Sequence, residues 1–450
     1  MTTRTPSLRR FSGRRLAVTA AAWLLGLYVL LVVVGFSWLH HSLKNGGIGP
    51  LDVAFIRWHK VRQAMAVEQF AAGRAAREAG NTQAAYLAFV SGIRNDPDNV
   101  EGRLDAARFL GAAGAVKLET NVLEDGLRRA PDDRRLIEET FALLTASGLD
   151  RHALDLIHRQ YAAGLAGPNG LLVRRFEVLA TLNSGGGASA KTLLDGYPDL
   201  RKDEDSAPVV ARVLWETKER LPAVDLLSTF LKLHDGAFIL FARLAEWQIA
   251  CGLADDAVHT AERACAKSPG DFPPRVLHIE MTAAARGVGA SPWQQAIESY
   301  LKDFGDRPEA ITMLAGLAGE KGWTGLARVL YDVSANRQQN LGALALAYSG
   351  ALASNAQYGD AARVLSDVEA QVEDGNPALL RLLRQRQIEV AAARGDHDAA
   401  REYARRLAAT LQKDPDGMEV VRRRFELEKI PEAVAELAAA SGMQKAPAAK

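Results

Sequence analysis

The pattern of apolar and polar positions changes character once along this chain. From Leu16 to Leu39 no charged side chain interrupts the run LAVTAAAWLLGLYVLLVVVGFSWL. At about 1.5 Å per residue such a run crosses a hydrocarbon layer of about 30 Å. The pattern therefore predicts one transmembrane helix over residues 16–39, with Trp23 and Trp38 near its ends, where amphipathic rings favour the headgroup zone. A cleaved signal peptide is the rival reading. The run is longer than a signal core, and bulky Phe36, Trp38 and Leu39 stand where a peptidase needs small residues, so a retained anchor fits better.

A juxtamembrane segment, residues 40–64, opens turn-rich with HHSLKNGGIGP and continues as DVAFIRWHKVRQAM, a candidate short amphipathic helix, beyond which the pattern turns helical and repetitive. Ala85, Ala88, Phe89 and Gly92 follow the i, i+3, i+4, i+7 rule and give one apolar face to pack on a neighbouring helix. Gly80, Gly114 and Gly148 are 34 residues apart, as are Pro97 and Pro131, and Gly92 and Gly126. Ala85 and Ala153 follow the first and third of those glycines by five residues, while Glu119 holds that place in the second unit. The pairing recurs as Gly185 with Ala190, Gly252 with Ala257, Gly322 with Ala327 and Gly395 with Ala400, and less completely at Ala223, Ala296, Ala361 and Ala433. The glycine is expected to end a first helix in a left-handed cap, and the alanine to sit where two helices cross closely. Asp96-Pro97, Ala130-Pro131, Ser268-Pro269 and Asp414-Pro415 are expected to stop helices.

With these residues in place, the chain resembles the tetratricopeptide repeat (TPR) family, whose unit is a helix-turn-helix of about 34 residues. Residues 66–99 (Gly73, Gly80, Ala85, Phe89, Pro97) and 238–271 (Ala245, Gly252, Ala257, Pro269) match best, while the fourth, sixth, seventh and ninth units depart in spacing. The resemblance implies an all-α fold: the N-terminal transmembrane helix followed, over residues 65–440, by a right-handed TPR-like α-solenoid of about eleven helical hairpins. Residues 1–15 form a basic cytoplasmic N-terminus and residues 441–450 a disordered tail.

Composition supports that reading. Hydrophobic residues make up 48% and charged residues 24%, enough for a sizeable core, and the net charge of +1 argues against nucleic acid as the partner. The basic residues are unevenly placed. Arg4, Arg9, Arg10, Arg14 and Arg15 precede the apolar run with no acid among them, whereas Lys44 is the only base between Leu39 and Arg57. The positive-inside rule then keeps the N-terminus in the cytoplasm and sends the repeats to the periplasm of a bacterial inner membrane.

Candidate chemistry is sparse. Gly185-Gly186-Gly187-Ala188-Ser189-Ala190-Lys191-Thr192 is one residue short of a phosphate-binding loop, yet it falls on the repeat register after a helix-like stretch, and an elongated inter-helix turn is the better reading. Cys251 ends a first helix and Cys265 lies well into the second, roughly 15 Å away along the axis, so two buried thiols fit better than a disulfide. The histidines form no metal pair, and no HExxH, CxxC or G-x-S-x-G motif occurs. No catalytic residue, metal, cofactor or small-molecule substrate is expected, and the chain is read as not an enzyme.

One constellation stands out. In repeats of this kind the first helices line a concave face, where residues one unit apart are neighbours. Arg74 and Arg108, with Arg135 nearby, would form an arginine row able to grip an anionic group of a protein partner. Family members that clamp carboxylates use lysine and asparagine; here Phe70 and Leu104 stand one turn earlier. The implied role is a membrane-anchored scaffold in envelope assembly or export, touching the bilayer through residues 16–39 and proteins through its concave face. The alternatives are a structural oligomerisation module and an enzyme with an unrecognised site.

Overall fold

A computed structural model describes residues 13–42, 58–161, 169–234, 236–337, 340–372, 376–412 and 414–441. Most of the basic N-terminus, part of the juxtamembrane segment and the expected tail at 442–450 lie outside the described residues. Among the described residues there are twenty-three α-helices and no strand.

The first helix, Gly13–Ser42, spans 30 residues, about 45 Å at the usual rise. No residue of its stretch Ala20–Ser37 is buried, and Trp23 is 81% exposed. The other twenty-two helices pair into eleven hairpins. In chain order the pairs are Trp58–Glu78 with Thr82–Asn95, Val100–Ala112 with Val116–Arg129, Arg134–Ala146 with Asp150–Tyr161, Gly170–Gly185 with Gly187–Gly196, and Ala207–Glu216 with Arg220–Leu233. They continue as Phe238–Ala250 with Ala254–Lys267, Phe272–Arg286 with Ser291–Phe304, Pro308–Glu320 with Thr324–Arg337, Leu341–Ser354 with Tyr358–Val372, Pro377–Arg394 with His397–Leu411, and Pro415–Leu427 with Pro431–Ala440. The expected TPR-like repeat array is therefore present. The first helix of the array is Trp58–Glu78, which buries Val61 and Ala64.

The turns inside nine of the eleven hairpins, all but the fourth and seventh, repeat one device. The residue after the turn donates its backbone N–H to a carbonyl five residues back: Asn81 to Ala76 at 2.9 Å, Ala115 to Leu110 at 2.9 Å, Leu149 to Leu144 at 2.8 Å and Leu253 to Gln248 at 2.8 Å. That bond requires a left-handed residue just before it, supplied by Gly114 (φ 72°) and Gly148 (φ 69°) among others. In the fourth hairpin the left-handed residue is Gly186 (φ 83°), not Gly185, which closes the preceding helix. The expected elongated turn there is a one-residue break. The alanine five residues on lies at each helix crossing: Ala85, Ala153, Ala190, Ala257 and Ala400 are wholly buried, while Ala296 is only partly so. Pro97, Pro131 and Pro269 each follow a helix end as expected. Pro415 instead opens a helix, because its fixed φ suits the first helical position and Asp414 caps it by accepting from Gly417 N at 3.0 Å.

Contacts divide the chain into two units, residues 1–226 and 227–450. In the first unit, Phe70 fills a recess that exists because its neighbours are Gly92 and Gly102; a Cβ at Gly102 would come within 2.2 Å of the ring. The core continues through Leu104, Leu127, Ile137 and Phe141, whose ring lies 5.7 Å from Phe176. In the second unit, Trp293 meets Trp323 edge to face at 5.4 Å beside Tyr300 and Leu314, and a further core forms around Leu407 and Phe425.

Candidate interaction face

The first helices of hairpins one to three present a stripe of charge. Glu101, Asp105 and Arg108 are spaced i, i+4, i+7 and share a face of Val100–Ala112; Arg135 and Glu139 share a face of Arg134–Ala146. Arg74 bonds to Asp105 at 2.7 Å, Arg108 to Glu139 at 2.8 Å, and Arg135 to Glu101 at 2.7 Å. Each arginine foreseen as part of an anion-gripping row thus crosses to a carboxylate on the neighbouring helix. The stripe continues as Arg175 near Glu138 at 3.6 Å and Arg134 to Asp205 at 3.2 Å. The hydrogen bond that Arg108 donates to Glu139, with the charges of Glu139, Asp105 and Glu101, outweighs the opposing effect of burial and holds the Arg108 guanidinium above its ordinary value.

The result is a neutral ladder. Most of its members are exposed, Asp105 and Arg175 excepted, and exposed ion pairs contribute about 0.2–1 kcal/mol each. A partner can therefore exchange one rung for a contact of its own at small cost, but the ladder holds no surplus of positive charge. The carboxylates were missed in the sequence, although the register contains them: residues 31 apart, as in 74/105 and 108/139, lie one repeat on and one helical turn back.

Elsewhere the candidate chemistry resolves into packing. Lys191 of the near-miss phosphate loop pairs with Glu219. Cys251 caps a helix end and Cys265 is buried, both as free thiols, and burial pushes the Cys265 thiol up. Among the described residues no group of three or more histidine, cysteine or acidic side chains could hold a metal ion. Burial alone raises the Tyr300 hydroxyl, which donates to Ala310 O at 2.8 Å.

No family model and no curated protein sequence matches the chain. Solved structures do. PilF of Pseudomonas aeruginosa aligns at 17% identity over 49% of this chain and 98% of its own, with a TM-score of 0.35. A tetratricopeptide repeat protein from Parabacteroides merdae aligns at 13% identity over 56% and 97%, with a TM-score of 0.39. Yeast Tom70 aligns at 11% identity over 91% and 96%, with a TM-score of 0.31. At these scores the assignment of the repeat rests on the chain's own hairpins and turns.

Proposed function

We propose that this protein is a membrane-anchored scaffold whose helical hairpins bind other proteins in the cell envelope. The observation that carries the anchor is the first helix: its apolar stretch of eighteen residues, Ala20–Ser37, has no buried residue. Left in water, such a surface drives aggregation, whereas a bilayer covers it. Arg14 and Arg15 on its N-terminal side favour a cytoplasmic N-terminus and periplasmic repeats. The observation that carries the scaffold is the hairpin array itself. Within each of the two units hairpins pack on their neighbours and leave faces exposed, and in the first a ladder of exchangeable ion pairs runs along one such face.

Topology is tested in bacterial spheroplasts. The full-length chain is expected to stay with the membrane through alkaline extraction, and its repeats to be digested by added protease while the cells remain sealed. A shortened, soluble chain would identify residues 16–39 as a cleaved signal, and repeats protected from protease would reverse the orientation. Partner binding is tested with a photo-reactive residue at Arg108. A discrete cross-linked protein that disappears in Arg74→Glu/Arg135→Glu supports the ladder as the contact face, and an unchanged cross-link in that variant removes it.

A further inference from the structure

Hairpin one differs from those that follow it on the outward side of its second helix. At about 100° per residue, Gln83, Tyr86, Leu87, Val90 and Arg94 fall within one stripe along Thr82–Asn95. The middle of the stripe is apolar and open to solvent: Tyr86 is 39% exposed, Leu87 58% and Val90 37%. The helix holds no acidic residue.

The repeat register marks this as a departure. Leu87 and Val90 stand two and five residues past Ala85, the residue at the helix crossing. The same two places hold Asn121 and Glu124 after Glu119, Asp155 and His158 after Ala153, Thr192 and Asp195 after Ala190, and Asp225 and Ser228 after Ala223. Four successive second helices thus turn polar side chains outward where hairpin one turns leucine and valine. A single exposed apolar side chain needs no explanation, but three in one stripe, on the hairpin that breaks the rule, mark a contact surface.

Position and charge select what covers it. Trp58 lies sixteen positions beyond Ser42, a reach of at most about 55 Å, so hairpin one is the part of the array that the first helix holds nearest to a bilayer. Residues 58–95 carry five basic side chains, Lys60, Arg62, Arg74, Arg77 and Arg94, against two acids, Glu68 and Glu78. Residues 100–129 carry five of each sign and residues 134–161 four of each, so the excess belongs to hairpin one. Arg74 is engaged by Asp105, while Arg62, Arg77 and Arg94 are exposed. The acids just beyond the helix are engaged too, Asp96 by Asn99 and Asp98 by Arg129. An acid-free apolar stripe with tyrosine and arginine on it, in a hairpin of positive charge, suits the headgroup zone of an anionic bilayer. There leucine and valine reach the acyl boundary, and the tyrosine hydroxyl and the guanidinium stay among the headgroups.

We propose that the stripe of Thr82–Asn95 lies on the lipid headgroups of the bilayer that the first helix spans. The inference rests on the reading of that helix as an anchor. It holds for either orientation of the chain, because hairpin one meets whichever leaflet the first helix emerges from. A contact of this size is weak alone, and the anchor makes it sufficient by confining the hairpin to the surface.

The full chain is reconstituted into vesicles of phosphatidylethanolamine and phosphatidylglycerol, with a fluorescent residue at one of three places. These are Gln83 in the stripe, Arg151, which holds the same place in hairpin three, and Leu30 in the first helix. Lipids with a quencher on the headgroup are expected to quench the probe at 83 about twofold or more beyond the probe at 151. Lipids with the quencher on the acyl chain should quench the probe at 30. Leu87→Asn/Val90→Glu, which installs the residues hairpin two carries at those places, should abolish the difference between 83 and 151 while helicity stays as in the parent. Equal quenching at 83 and 151, with the probe at 30 quenched, overturns the headgroup contact and leaves the anchor standing. An unquenched probe at 30 overturns both. A probe at 83 that is shielded from aqueous iodide yet unquenched by lipid gives the stripe to a protein surface and overturns the proposal, as does a difference that survives Leu87→Asn/Val90→Glu.

Discussion

Lys218, Ala356 and Lys429 hold φ of 70°, 57° and 58° at the turn position that glycine takes in hairpins one to four, six, eight and ten. An L-residue pays about 1–2 kcal/mol for this conformation where glycine pays almost none. Lys218→Gly and Ala356→Gly are therefore expected to stabilise their hairpins, each by about 1 kcal/mol after the looser unfolded chain is counted. Gly114→Ala should cost a similar amount. A Cβ at Gly114 meets nothing within 4 Å, so the cost is one of backbone alone. Thermal unfolding of the three variants checks both signs. Glu119, where other hairpins place a small residue, gives a second test. Burial, with the charge of Glu139 added, raises its carboxyl, and the carboxylate lies over Gly111, whose missing side chain makes the room. A carboxyl raised in the folded state penalises folding above its folded value, and the penalty vanishes as pH falls below its unfolded value of about 4.3. Glu119→Ala should thus raise the melting temperature near neutral pH, with the gain shrinking toward acid. A gain independent of pH would assign the effect to packing or helix propensity instead.

Between elements, two kinds of contact decide which helices can lie together. One is close approach. A Cβ on Gly319 would sit 2.6 Å from the Ala347 carbonyl oxygen, so Pro308–Glu320 and Leu341–Ser354 pack backbone to backbone there. Gly319→Ala favours helix by propensity but is expected to lose about 1–3 kcal/mol net, since the obstacle is main chain and cannot rotate away. The other is the buried charge. Arg103 ties the turn before its helix to Val116–Arg129. Asp125 feels desolvation that pushes its carboxyl up, but the bonds from Arg103 and Arg129 outweigh it and hold the group below its ordinary value. Arg103→Met should cost about 2–3 kcal/mol in denaturant unfolding, because it leaves two carbonyls and a carboxylate short of a donor. These elements also mark what the sequence disclosed. The 34-residue spacing of Gly80, Gly114 and Gly148 exposed the hairpins because a left-handed turn has few chemical solutions. The ladder was half visible: Arg74, Arg108 and Arg135 stood out, but their acids lie at offsets that have meaning only once helix ends are placed. Arg103 stayed hidden for the same reason, since a charge on an amphipathic helix reads as solvent-facing until the N-cap fixes its rotation.

Across the whole chain, tertiary bonds stay local in sequence. Arg74 to Asp105, Arg381 to Asp414 and Arg405 to Glu436 each span about one repeat, while Arg134 to Asp205 spans 71 residues. A structure held together this way distributes its stability as hairpin terms plus nearest-neighbour terms, so damage at one hairpin should spread only to those it touches. Arg103→Met offers the test, because its loss falls on hairpin two. Amide hydrogen exchange is expected to quicken in residues 58–161 while protection across 377–440 stays as in the parent. The contrast follows from where the bonds of Arg103 end: Pro97, Val122 and Asp125 all lie within one repeat of it. If instead the slowest amides of residues 377–440 quickened in parallel with those around Arg103, the chain would be unfolding as one cooperative block. The account of stability as hairpin terms plus nearest-neighbour terms would fall with that result.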